Sequence, residues 1–513
     1  MSISALSAAT SDENHATSLM SRARQAEKQL AASSLKQRLK ILAQVQQNIL
    51  ALREEIVASL VDECGKTKTD ANIEIIGVLD WLKWLQDHAE KFLNDKKVPT
   101  PITLLGKQSR IWHQPLGTVL IIAPWNYPFH IGITQIFTAF ACANAVLYKP
   151  SEITPMRGIY ERVLAVDSLL QESVVIAYGN GQLGADLIDQ RPDKIFFTGS
   201  TRTGKAISRQ AADYLVPVDL ELGGKDPMIV MDSADIKRAA AAAVWGANTH
   251  NGQSCSAVER LYVQSGIYKK LLAEIKHQTQ QLIQKEQDKN GDTDLSRVTV
   301  DFQFDIIRDH IEDAVNKGAT LVCGGDIVDA EKLMLQPTVL TDVSDQMKCI
   351  SQETFGPLLP VIPFDTEQQV IELANNNEFG LQASVFSADI NQAQRIARQL
   401  QVGGVSINNV NMVEGNPWLS FGGRKNSGTG RARGVEGLLA FSQSKHVLID
   451  KNSSQIEANW YPYTQEKYQL VIQFFNALFE KSPLRLTKAA MAGLKLEKIS
   501  QNQRTKARKY NAR

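Results

Sequence analysis

The sequence predicts an α/β protein built on parallel sheets, and three observations carry that prediction. Short, largely apolar runs recur at Thr118–Ala123, Ala145–Tyr148, Ser173–Tyr178, Lys194–Phe197 and Pro227–Met231. Helical stretches lie between most of them, for example 156–170 and 203–213. The alternation resumes after a polar loop around Cys255. Strands this apolar must be covered on both faces, which is what crossover helices do to a parallel sheet.

The elements follow in order. Residues 1–20 are polar and are expected to be disordered. From Leu35, the positions Leu39, Leu42, Val45, Ile49, Leu52, Ile56 and Leu60 recur every three or four residues and predict one long amphipathic helix. A second helix is expected over 70–92. Residues 97–115 are extended and Pro-bounded, and read as a strand pair with a Gly-containing turn. After the parallel strands above, a domain break is placed between Glu221 and Cys255. Further strands are expected at Leu261–Val263, Leu321–Cys323, Val361–Pro363, Ser384–Phe386 and Gly404–Ile407, with helices near 267–287, 302–316, 366–375 and 390–401. Residues 464–480 place Tyr468, Val471, Ile472, Phe475, Leu478 and Phe479 on one helical face.

Composition narrows the function. At 513 residues the chain can bury a large core in two or three domains. A net charge of +1 gives no reason to expect a nucleic-acid partner. Five cysteines, an odd number without paired spacing, argue against a disulfide framework and fit a reducing, cytoplasmic setting. No CxxC and no metal-ligand spacing among eight histidines means that no metal is expected. No secretory signal pattern opens the chain, and no apolar run reaches the roughly 18 residues of a spanning helix. Residues 481–513 hold ten Lys or Arg and one acid, Glu497. They are expected to form a solvated tail, with peripheral contact to an anionic membrane as the alternative.

Three residues stand in settings suited to chemistry. Cys255, in HNGQSCSAVE, sits in a small polar loop where backbone N–H groups can lower a thiol pKa; its alternative is an inert core cysteine. Glu221, in LELGGKDP, stands between Leu220 and Leu222 beside a Gly pair. Desolvation there raises a carboxyl pKa toward general-base duty, the alternative being a solvated strand-end carboxylate. Asn126, in APWNYPF, is flanked by Pro124 and Pro128 and offers a neutral donor for an oxyanion, or serves only as a turn-former. The segment GSTRTGK (Gly199–Lys205) approaches a phosphate-binding GxxxxGK loop, but Ala206 follows where a Ser or Thr must hold magnesium, so a triphosphatase is rejected.

Seven motifs in order resemble the aldehyde dehydrogenase superfamily over roughly residues 20–460. They are PWNYPF (Pro124–Phe129), YKPSE (Tyr148–Glu152), FTGS (Phe197–Ser200), LELGGKDP (Leu220–Pro227), GQSC (Gly252–Cys255), ETFGP (Glu353–Pro357) and SFGGRKNSGTGR (Ser420–Arg431). The 34 residues from Glu221 to Cys255 also match. NSGTGR (Asn426–Arg431) and NWYPYTQEKYQL (Asn459–Leu470) look nearest to the class 3 and coniferyl aldehyde dehydrogenase branch.

The resemblance implies a Rossmann-like dinucleotide domain over 21–97 and 116–222, and a catalytic domain over 223–430. It also implies oligomerisation strands at 98–115 and 431–452 that make a homodimer or tetramer, and leaves 453–513 as a helical, basic extension. It implies NAD as cofactor, with NADP possible, and an aldehyde as substrate. Cys255 becomes the nucleophile, Glu221 the general base and Asn126 the oxyanion donor. Lys149, Glu152, Gly199, Ser200, Trp125, Glu353 and Phe355 become the cofactor contacts, Ser200 at a helix start facing the pyrophosphate. Residues 410–419 fall at the substrate entrance, with Tyr127, Trp245 and Trp418 as tunnel candidates suited to a medium- to long-chain aliphatic or aromatic aldehyde. Members that pass the acyl group to coenzyme A lack a glutamate at the Glu221 place, so release of the free acid is expected. The competing readings are an acylating or semialdehyde-specific dehydrogenase of the same superfamily, and a non-catalytic structural member.

Overall fold

A computed structural model describes residues 13–104, 106–286, 290–451, 456–481 and 483–510. The described residues divide into two compact units, one formed by the chain up to Asn94 together with His113–Lys445, the other by Asp95–Trp112 and the chain from His446.

The first unit holds two large sheets. The first runs in the order Gly428–Thr429, Val218–Glu221, Lys194–Thr198, Thr118–Ile122, Ala145–Lys149, Val174–Ile176. All its pairs are parallel except the short strand Gly428–Thr429 against Val218–Glu221. The chain enters at Thr118–Ile122, builds outward through Ala145–Lys149 and Val174–Ile176, then crosses to the other side for Lys194–Thr198 and Val218–Glu221. Strand order therefore reverses between Thr118–Ile122 and Lys194–Thr198, the place where open α/β sheets bind ligands at their strand ends.

Alternation along these strands explains the two-sided burial. Val119, Ile121, Val146 and Phe196 join one apolar core with the helices Leu35–Ala51, Lys68–Leu93 and Pro128–Ala141. Leu120, Ile122, Leu147, Ile195 and Phe197 join the core on the other face. There they meet Ala16, Leu19, Met20 and Ala23 of the helix Glu13–Ala32. That helix corrects the disorder expected over 13–20; its polar composition hides a narrow stripe of small and apolar residues that closes the sheet. Residues 1–12 lie outside the described residues. The long helix expected from Leu35 is also two helices, Leu35–Ala51 and Arg53–Cys64, because Leu52 leaves helical geometry at ψ 4°.

The second sheet runs Thr320–Cys323, Thr338–Thr341, Leu358–Phe364, Val258–Gln264, Asp226–Val230, Gln382–Phe386, Gly404–Ile407. It is parallel except for the edge strand Thr320–Cys323, which pairs antiparallel. The segment between Glu221 and Cys255, read from sequence as a break, contains the helix Ile236–Asn248, capped by Asp235 accepting from the Arg238 N–H at 2.8 Å.

In the second unit, strand Lys107–Pro115 lies between Lys96–Val98 and Ser442–Asp450. Lys107 pairs with Asp450 and Glu457, both at 2.6 Å. The C-terminal extension forms two packed helices, Gln465–Phe479 and Arg485–Tyr510. The second shows the segment after 480 to be helical rather than disordered, with most of its described residues exposed. Its small residues Ala489 and Ala492, with Leu496, are buried, while Leu470 and Ala477 are buried on the helix before it. No helix among the described residues is long and apolar enough to cross a membrane.

Candidate active site

A cavity of about 890 Å³ opens at the carboxyl ends of the first sheet. Four strand ends supply its rim. Ala123–Asn126 follow Thr118–Ile122, Lys149–Glu152 follow Ala145–Lys149, Gly199 and Ser200 follow Lys194–Thr198, and Glu221–Gly223 end Val218–Glu221. Cys255, Glu353 and Phe355 come from the second sheet's loops. Ten of the thirteen residues singled out in the sequence thus line one cavity: Cys255, Glu221, Asn126, Lys149, Glu152, Gly199, Ser200, Trp125, Glu353 and Phe355.

The other three lie elsewhere. Tyr127 sits under the Lys66 ammonium, 3.5 Å above its ring centre, and edge-on to His250 at 5.5 Å. Trp245 lines a separate cavity of about 860 Å³ with Asp70, Asn248 and His277. Trp418 is half-exposed and packs against Trp84 and His88, with ring centres 5.3 and 4.4 Å away. The surroundings of Tyr127 are polar: the buried pair Lys66–Glu74 at 2.9 Å, and the buried ring of His250 beside the Asn126 backbone.

Cys255 is presented by an unusual backbone. His250, Asn251 and Gly252 hold φ of 50°, 54° and 70°, three successive left-handed residues. Two of them are not glycine, so the turn stores strain that its partners must hold. Asn251 donates to the Arg297 carbonyl at 3.1 Å, and the Gln253 side-chain carbonyl accepts from the Thr299 N–H at 2.9 Å. At Gly252 a Cβ would lie 2.2 Å from the Gly356 carbonyl oxygen, so glycine is required. Asn126 is 4% exposed and donates one amide N–H to the Gln253 carbonyl at 2.9 Å. That bond fixes the amide against the loop that carries Cys255.

The titratable groups that act on Cys255 are carboxyls. Burial raises its thiol pKa well above the ordinary value, and Glu414, Asp226, Glu353 and Glu221 add to the rise. The depressed thiol pKa expected from the loop is therefore corrected: these carboxylates and desolvation outweigh the backbone N–H groups. Glu221 is 4% exposed, and neither oxygen makes a hydrogen bond of good geometry. Burial raises its pKa well above the carboxylate range; Asp219 adds to this and Arg431 opposes it. Glu353 is pushed up to about 8 by burial, then by Glu259, against the Gly224 N–H that donates to it at 3.0 Å and against Lys225.

Two positioning residues were not singled out in the sequence, although both fall in quoted segments. Lys225 and Glu259 form an ion pair whose side chains are 0% and 4% exposed. The Glu259 carboxylate accepts from the Thr354 N–H and the Phe355 N–H, both at 2.8 Å. Lys225 also donates to the Thr354 hydroxyl at 3.0 Å. This buried pair fixes the loop carrying Glu353 and Phe355, the latter at φ 52°. Charged residues inside apolar strand runs, as in VERLYV, were the available signal.

The remaining rim suits a dinucleotide. Ser200 caps the helix Thr201–Ala212 by accepting from the Thr203 N–H at 3.3 Å, which directs a positive helix end at the cavity. The Lys149 side chain is 3% exposed and reaches Glu152 at 3.1 Å. Glu152 and Glu353 present carboxyl groups to the cavity, and a Cβ at Gly223 would strike Glu353. Ile122, Ile188, Ile207 and Leu222 line it with apolar surface. Among the described residues no group of three or more His, Cys, Asp or Glu is placed to hold a metal ion.

A crevice at parallel strand ends, lined by a half-buried cysteine and a buried glutamate, defines a class of protein, and the comparisons agree on which one. The aldehyde dehydrogenase family matches residues 4–447. The 4,4'-diapolycopene aldehyde oxidase of a Methylomonas species is 40% identical over 450 residues, covering 86% of this chain and 83% of that protein. Betaine aldehyde dehydrogenase of Staphylococcus aureus, solved in complex with NAD+, superposes with a TM-score of 0.81 at 31% identity, covering 88% of this chain and 90% of that one. An NADP-dependent enzyme of E. coli gives 0.79 at 29% identity, covering 85% and 90%. The chain belongs to the aldehyde dehydrogenase family, NAD(P)-dependent oxidoreductases that act on aldehydes.

Proposed function

We propose that this chain oxidises a long, apolar aldehyde to the carboxylic acid with NAD(P)+, through a thioester on Cys255 that water hydrolyses. The convergence of Cys255, Glu221 and Asn126 on one cavity carries the reading. The Cys255 sulfur attacks the aldehyde carbon, and its proton passes to a carboxylate. Asn126 and the Cys255 backbone N–H hold the oxyanion, donors of a kind worth about 3–4 kcal/mol each. The bound dinucleotide supplies the acceptor for hydride. Glu221, whose carboxyl is made more basic by burial, then draws the proton from the water that opens the thioester. Lys149, Glu152, Gly199, Ser200, Trp125, Glu353 and Phe355 hold the cofactor. Glu152 on the adenosine ribose favours NAD, while Lys149 beside it tolerates the extra phosphate of NADP.

The substrate class rests on the likeness to a protein named for a long polyene aldehyde. The same reading has the enzyme work as a homodimer or tetramer through strands 98–115 and 431–452. The test follows NADH and NADPH absorbance with a chain-length series of aldehydes, with and without coenzyme A. Cys255→Ala should abolish turnover. Strict dependence on coenzyme A, or no turnover with any aldehyde, refutes the reading.

A further inference from the structure

The family match ends at residue 447, and the last 66 residues lie beyond it. They fold into the helices Gln465–Phe479 and Arg485–Tyr510, which pack on each other. The first helix turns Lys467, Leu470 and Ala477 inward. Its opposite side exposes Tyr468, Val471, Ile472, Phe475 and Phe479, at 60, 45, 38, 56 and 68%. Spacings of three and four residues make this one continuous stripe. Just before it, Trp460, Tyr461 and Tyr463 are exposed at 57, 78 and 68%. Met491 and Leu494 add 54 and 67% on the second helix. A single exposed leucine needs no explanation, but twelve large apolar or aromatic side chains within 35 residues, Leu484 and Leu486 included, do.

We propose that this helix pair is an interfacial anchor that lays its aromatic and aliphatic stripe into an anionic bilayer surface. Charge decides between occupants. Residues 481–513 carry ten Lys or Arg against one acid. A second copy docked on the stripe would bring two such segments together and repel, whereas acidic headgroups attract each of them. Aromatic side chains with a polar edge, as in Trp460, Tyr461 and Tyr463, favour the headgroup boundary. Neither helix of the pair is long and apolar enough among its described residues to cross a membrane, so the proposed contact lies in the interface plane. The proposal extends the proposed function, because an apolar aldehyde dissolves in the same bilayer, but it is tested without turnover.

The full chain is mixed with sucrose-loaded vesicles of phosphatidylglycerol and phosphatidylcholine, or of phosphatidylcholine alone, and sedimented at low and high salt. Turnover of a short, water-soluble aldehyde monitors the fold. Binding should be at least tenfold stronger on the anionic vesicles and weaken with salt. Phe475→Ser with Phe479→Ser should lower it at least tenfold more and leave the soluble turnover unchanged. Three results overturn the proposal. The wild type stays in the supernatant with both vesicles. The double variant binds as the wild type does, which leaves only adsorption by the basic segment. Or the double variant halves the mass in solution, which makes the stripe an interface between copies. Failure of the proposed reaction would instead show in the aldehyde panel and leave the sedimentation result standing.

Discussion

Glu259→Gln tests how the cofactor loop is held. The carboxylate accepts from two backbone N–H groups at 2.8 Å and neutralises Lys225, whose ammonium is fully buried. The amide keeps one acceptor oxygen but turns an NH2 toward the other donors, so a buried charge loses its partner. Removing one member of such a pair costs about 3–5 kcal/mol. At about 2 °C per kcal/mol for a large chain, Tm should fall by roughly 6–10 °C. The loop carrying Glu353 and Phe355 loosens, so KM for the dinucleotide should rise at least tenfold while KM for the aldehyde moves little. Lys225→Met with Glu259→Leu separates the two effects. An apolar pair of similar volume should recover most of the stability, but leaves the Thr354 and Phe355 N–H groups unbonded, so the cofactor KM stays high. Differential scanning calorimetry and initial rates read both quantities. A single variant with wild-type Tm and wild-type cofactor KM would refute the argument that this pair positions the loop.

Other expectations follow from the nucleophile loop. Asn126→Ala should lower kcat about 10²–10³-fold with little change in cofactor KM, measured by steady-state kinetics. Because the Cys255 thiol pKa is raised, the apo protein should react slowly with iodoacetamide at neutral pH. Its rate should still climb tenfold per pH unit above pH 9, and Glu221→Gln should shift that profile to lower pH, since the Glu221 charge contributes to the rise. Gly252→Ala should destabilise the protein and abolish activity, seen by thermal melt and turnover, because its φ is 70° and its Cβ would meet the Gly356 carbonyl at 2.2 Å.

Much of this architecture was legible because its signals are local. Continuous apolar runs gave the parallel strands, and the motifs at their ends brought ten chosen residues to one cavity. What was missed depends on distant partners. The helix Glu13–Ala32 looks polar until the sheet face that its Ala16, Leu19 and Ala23 cover is known. Lys225 and Glu259 are 34 residues apart, and nothing local says that each neutralises the other. Trp245 and Trp418 lie outside that cavity, Trp418 packed against Trp84 and Trp245 lining a separate cavity, contacts that their positions in the sequence do not announce. The thiol pKa went astray for the same reason, since Glu414 lies 159 positions along the chain from Cys255 and the sequence does not say that they meet.

That electrostatic surprise has a thermodynamic consequence. Burial and four carboxylates hold the Cys255 proton on, so any cation entering the cavity lowers the thiol pKa. Linkage is reciprocal: each unit of lowering makes the cation bind tenfold more tightly to the thiolate than to the thiol. The oxidised nicotinamide ring carries a positive charge and the reduced ring carries none. Affinity for the oxidised dinucleotide should therefore rise with pH up to tenfold per unit, between the thiol pKa of the bound form and that of the free form. Affinity for the reduced dinucleotide should stay flat over the same range, and Cys255→Ala should remove the slope for the oxidised form. Titration calorimetry on wild type and variant reads all three. Equal slopes for the two redox forms would mean that the thiol does not sense the ring, and that the carboxylates around it serve some other end.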